Sequence, residues 1–146
     1  MNSMTQITRR ARWAVTLTLS TLLLGCAGMG MDGGTKVTLS GAQQNPPVAT
    51  SASGSGTITV AADKSVSGSV TTTGVAGTAA HIHVGASGKN GPVIIPLTKT
   101  SDDVWSVPAG AKLTDAQYES YKAGDLYVNV HSAANKGGEI RGQLKP

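Results

Sequence analysis

The chain of 146 residues has no phenylalanine, a single cysteine and only three histidines, and aromatic residues make up just 3% of it. A lone cysteine excludes an internal disulfide. Basic residues are nowhere interleaved with aromatics, which removes the case for nucleic-acid binding. No internal repeat is present. The one long apolar run, "AVTLTLSTLLLG", is too short to cross a bilayer and stay there. Excess charge is also missing once the leader is set aside. The chain carries a formal +4, but Arg9, Arg10 and Arg12 supply three of its twelve basic residues. The rest of the chain has nine basic and eight acidic residues, a net charge of +1, so it has no electrostatic claim on an anionic surface.

What is present at the start is a targeting signal. "MNSMTQITRRARW" is basic and free of acids, and the apolar run after it ends at Cys26. That order describes a secretory signal peptide over residues 1–25. Arg9-Arg10 hints at twin-arginine export, but the "ARW" directly after it fits that signal poorly and favours the general secretory route. The ending "LLGC" resembles a bacterial lipobox, which implies that Cys26 becomes the lipidated first residue. Ala27 carries no signal for inner-membrane retention. The expected location is the cell envelope, anchored by lipid to the outer membrane and facing the periplasm.

Residues 26–35, "CAGMGMDGGT", read as a flexible tether. Met29 and Met31 are a spacer or a pair of soft thioether ligands. The domain proper runs over 36–146, enough for one core. Glycine, serine, threonine and valine dominate it, as suits short strands joined by tight turns. Strands are expected at "KVTLS", on both sides of a turn at Asp63-Lys64, at "TAAHIHVG", "PVIIPL", "DVWSVP", "DLYVNVHS" and "GGEIRGQL". Pro46-Pro47 marks an irregular excursion, and Asn90-Gly91 suits a primed hairpin turn. One helix is expected near 114–123, with Thr114 as N-cap, Gln117 completing a capping box and Gly124 just past its end. About eight strands and one short helix make an all-β, antiparallel sandwich or flattened barrel.

The histidines fall on two of these strands. Residues two apart in a strand share a face. His81 and His83 therefore lie together, opposite Ala80, Ile82 and Val84. In "DLYVNVHS", Leu126, Val128 and Val130 form the apolar face, and Asp125, Tyr127, Asn129 and His131 point the other way. The alternation excludes histidines in the apolar core. His81 and His83 have Cα atoms about 6.6 Å apart, and their rings can lean toward one ion. With His131 beside them they would form a three-nitrogen metal site with one open position. Without it they are a surface H-x-H. On the last strand Glu139, Arg141 and Gln143 share a face. Asn129 or Glu139 could orient an imidazole by hydrogen bonding, and Arg141 could hold Glu139 or guide an anion. Cross-strand charge pairing is the plainer alternative.

Four segments, "LSGAQQNPPVATSASGSGTITV", "TAAHIHVGASGKNGPVIIPL", "LTDAQYESYKAGDLYVNVHS" and "GGEIRGQL", together resemble the CHRD domain. They cover nearly everything from Leu39 to Leu144 in the family's order. One departure stands out: Gln44 occupies the place of the family's glutamate in "QEVPPV". More distantly, "AAHIHV" and "LYVNVHS" are similar to the copper strands of copper/zinc superoxide dismutases. That similarity implies a Greek-key fold and matches His81, His83 and His131 to three copper-binding histidines. With three histidines in all, the bridging histidine and histidine zinc ligands of those enzymes have no counterpart. The expected function is copper binding for sequestration, delivery or tolerance, with zinc as second choice and no protein partner indicated. The alternatives are a metal-dependent dismutase-like or hydrolytic enzyme, for which no convincing general base is found, and a metal-free interaction module.

Overall fold

The structure, a computed structural model, describes residues 33–146. The leader, Cys26, Met29 and Met31 lie outside the described residues. Nine strands form one antiparallel sheet: β1 (Thr35–Ser40), β2 (Ser53–Val60), β3 (Val66–Thr73), β4 (Gly77–Val84), β5 (Val93–Pro96), β6 (Thr98–Ser101), β7 (Val104–Ser106), β8 (Leu126–Ser132) and β9 (Ile140–Leu144). Their order is β5-β4-β8-β9-β1-β2-β3-β7-β6. β3 and β4 are consecutive in sequence but far apart in the sheet, so the chain crosses over between them. β5 and β6 are also consecutive, yet they sit at opposite ends of the order. Only Leu97 separates them, which brings the two ends together, and its backbone N–H donates to the Ala80 carbonyl of β4 at 2.9 Å. The result is the expected all-β flattened barrel, nearly closed. Among the described residues no helix is long and apolar enough to cross a membrane.

The inside of the barrel is filled by the apolar half of each alternating strand. Leu39, Ile58, Val70, Ile82, Leu126, Val128, Val130, Ile140 and Leu144 are all essentially inaccessible, and Trp105 of β7 is buried among them. With phenylalanine absent, aliphatic residues carry most of the apolar burial that drives folding. One helix, α1 (Asp115–Lys122), begins as expected. Thr114 Oγ1 accepts from the Gln117 N–H at 3.3 Å, and Gln117 Oε1 accepts from the Thr114 N–H at 2.9 Å. Its Tyr121 shares a 2.7 Å hydrogen bond with Thr35 Oγ1, tying the helix to β1.

Two local expectations are corrected. Among the described residues the strands number nine, because "TKTSDDVWS" folds into a small hairpin of β6 and β7. β6 is exposed along its whole length and so carries no apolar alternation to reveal it. Asn90-Gly91 does not form the turn between β4 and β5. A primed turn needs positive φ at its central residues, and neither residue has it. The tight turn lies earlier, closed by the Lys89 N–H to the Ala86 carbonyl at 2.9 Å, with Gly88 at φ +74°.

Candidate metal centre

β8 is the organising strand. It pairs with β4 so that His81 faces Asn129 and His83 faces Tyr127, and with β9 so that Asn129 faces Arg141 and Tyr127 faces Gln143. His131 stands opposite Ala79, diagonal to His81. One face of three adjacent strands thus gathers His81, His83, Tyr127, Asn129, His131, Arg141 and Gln143. The barrel interior lies behind it, where Ala80 and Ile82 point.

This outer face is not open surface. Tyr127, Asn129 and Arg141 are each 3% exposed or less, and His83 is buried. Sequence alternation identified the face but not its cover. The loop over residues 85–92 folds back across it, and β9 holds the loop there. Arg141 donates from Nη1 to the Lys89 carbonyl at 2.9 Å and from Nη2 to the Ala86 carbonyl at 3.0 Å. Gln143 Nε2 donates to the Gly85 carbonyl at 2.8 Å. Gly91 is needed where the loop touches β4, because a Cβ there would fall 1.7 Å from the Val84 carbonyl oxygen.

The three imidazoles converge, and their ligand atoms all lie within 4.8 Å of one another. His81 Nδ1 is 3.0 Å from His131 Nε2. His83 Nδ1 donates to the Gly91 carbonyl at 2.9 Å, and His131 Nδ1 donates to the Lys136 carbonyl at 2.8 Å. Each of those bonds places the ring's proton on Nδ1 and leaves the Nε2 lone pair facing the centre. A second partner that sets tautomer and ring angle in this way is what metal-ligating histidines require. Burial holds the pKa of His81 below its ordinary value, with help from the neighbouring His131 and His83. His83 is lowered too, chiefly by burial. Both shifts favour the neutral imidazole, the form that can ligate. Three nitrogen donors with room for a further ligand suit a borderline divalent ion such as zinc or copper.

The supporting residues divide. Asn129 Oδ1 lies 3.0 Å from His83 Nε2 and 3.1 Å from His131 Nε2, at the heart of the cluster. Glu139 does not orient an imidazole. Its Oε1 accepts from Thr50 Oγ1 at 2.8 Å, and hydrogen bonds from Ser132 and Thr50 hold its carboxyl below the usual range. Arg141 does not hold Glu139 either. Its guanidinium clamps the loop and lies over the Tyr127 ring, 3.5 Å from the centroid. Tyr127 is a contributor that sequence reasoning passed over, since His83 stacks on its ring. The strand alternation had placed it on this face, and only the register shows that it lies opposite His83.

Fold and site together define a small β-barrel domain with three imidazoles gathered on its outer face, a group that could hold a metal ion. Residues 35–144 match the family model of the CHRD domain, and the chain belongs to that family. Comparison with curated proteins and with solved structures gives no significant match.

Proposed function

We propose that this CHRD domain binds one copper ion through His81, His83 and His131 and serves to sequester, deliver or tolerate copper in the cell envelope. The convergence of His81 Nδ1 with the Nε2 atoms of His83 and His131 is the observation that carries the reading. Copper(II) exceeds zinc at nitrogen sites in the divalent affinity order, which makes zinc the second choice. The sequence likeness to dismutase copper strands points the same way, and it rests on the two histidine segments alone. The basic leader and "LLGC" support an envelope protein anchored through lipid on Cys26, with Ala27 favouring the outer membrane.

Binding is preferred to turnover because the nearby acid is engaged elsewhere. Glu139 is tied to Thr50 and Ser132, which leaves it badly placed to serve as a general base at the imidazoles. Equilibrium dialysis of the purified chain against copper(II) and zinc(II) tests the reading. One ion per chain, with copper displacing bound zinc, is the expected result. A chain that retains neither ion refutes it.

A further inference from the structure

The cluster contains a contact that three histidines alone leave unexplained. His83 and His131 each spend their Nδ1 proton on a backbone carbonyl, Gly91 at 2.9 Å and Lys136 at 2.8 Å. In the neutral rings each Nε2 is then left with a lone pair. Facing both, at 3.0 and 3.1 Å, is the side-chain oxygen of Asn129, which also offers only lone pairs. Acceptors turned on one another at this distance repel unless a cation lies among them or the amide is turned over to present Nδ2.

We infer that the Asn129 side-chain oxygen is the fourth ligand of the metal bound by His81, His83 and His131. This rests on the metal reading above. The spacing fits it. His81 Nδ1 to His131 Nε2 is 3.0 Å, His131 Nε2 to Asn129 Oδ1 is 3.1 Å, and Asn129 Oδ1 to His83 Nε2 is 3.0 Å. Neighbouring donors held about 2.1 Å from one ion at ordinary coordination angles are about 3.0 to 3.4 Å apart. Four donors thus succeed one another at the interval of adjacent coordination positions. The donors then form an N3O set, and the oxygen, a harder donor than sulfur, favours a divalent ion over copper(I).

The room for this amide comes from Gly138. At φ +119° it lies against the amide nitrogen of Asn129, and a Cβ there would stand 2.9 Å from Asn129 Nδ2 and 2.4 Å from Gln44 Nε2. Gln44 Nε2 is buried without a hydrogen-bond partner. The competing arrangement is an amide turned over, with Nδ2 donating to both imidazoles and the oxygen directed away from the ion.

The test uses the full chain labelled with ¹³C at the asparagine carboxamide carbon, loaded with copper(II) and read by pulsed electron paramagnetic resonance. A strong ¹³C coupling is expected in the parent chain, absent in Asn129→Leu, with copper affinity reduced about tenfold or more in that variant. Asn129→Asp, which keeps an oxygen in place, is expected to retain binding and controls for loss of fold. Copper bound by the three nitrogens with no carboxamide coupling would overturn the inference while leaving the three-histidine site standing. A parent chain that takes up no copper would remove both.

Discussion

His83 lies flat against Tyr127, with ring centroids 4.7 Å apart and planes 8° from parallel. Tyr127 also carries the Arg141 guanidinium and accepts a hydrogen bond on its hydroxyl from the Gly91 N–H at 3.2 Å. Gly91 in turn accepts the His83 Nδ1 proton. One ring therefore sets the plane of His83 and the position of the carbonyl that fixes its tautomer.

Replacing Tyr127 separates these roles. Tyr127→Phe keeps the stacking surface and loses the hydroxyl, and is expected to cost about 1 kcal/mol of stability with metal binding nearly intact. Tyr127→Leu removes the surface as well and should weaken metal binding by about tenfold. Denaturant unfolding and metal titration of both variants supply the comparison. Equal metal affinities would show that the ring does not orient His83.

Arg141 is expected to act through the loop rather than on a ligand. Arg141→Met leaves the Lys89 carbonyl without its donor and the Ala86 carbonyl with only the Lys89 N–H, at a cost of about 1–3 kcal/mol for the Lys89 carbonyl where no water replaces the guanidinium. Arg141→Lys cannot restore a planar fork that serves two carbonyls. Faster amide hydrogen exchange across residues 85–92 is expected in both variants. Unchanged exchange would show that the loop is held by other means.

The pH dependence of the metal-free chain arises from the buried rings. His81 and His83 titrate below their ordinary value near 6.5, so the unfolded chain takes up their protons first. Stability therefore rises with pH between the lowered folded values and about 6.5, and it falls as the medium is acidified through that window. Glu139, with its pKa lowered, contributes in a more acidic range, losing its stabilisation only below its ordinary value of 4.5. Thermal melts between pH 5 and pH 7.5 should show the histidine contribution, flattened in His81→Gln/His83→Gln. An identical slope in the double variant would contradict the assignment.

Cys26 carries the expectation about location. Cys26→Ala is predicted to abolish incorporation of labelled palmitate and to release the domain from the membrane fraction. Lipid labelling that persists in the variant would rule out an anchor at this residue.

Much of the barrel was legible because its strands have one apolar face each. Ala80 and Ile82 on β4, and Val128 and Val130 on β8, announced both the strands and the side on which the histidines lie. β6 carried no such pattern, and its pairing with β7 arises from a local hairpin. The site was half legible. Alternation places His81, His83 and His131 on faces, but their meeting depends on the β4–β8 register, which is set across the sheet. The cover over the site was hidden for a similar reason. Arg141 reaches carbonyls more than fifty residues away, and backbone carbonyls leave no mark in a sequence.

The central claim is most directly tested by titrating the chain with copper(II) and monitoring electron paramagnetic resonance, beside a variant carrying His81→Ala, His83→Ala and His131→Ala together. One copper per chain with nitrogen hyperfine structure, lost in the triple variant, is the predicted result. Stoichiometric copper with the same spectrum in both proteins would place the metal elsewhere, and no stoichiometric binding in the parent chain would contradict the account outright.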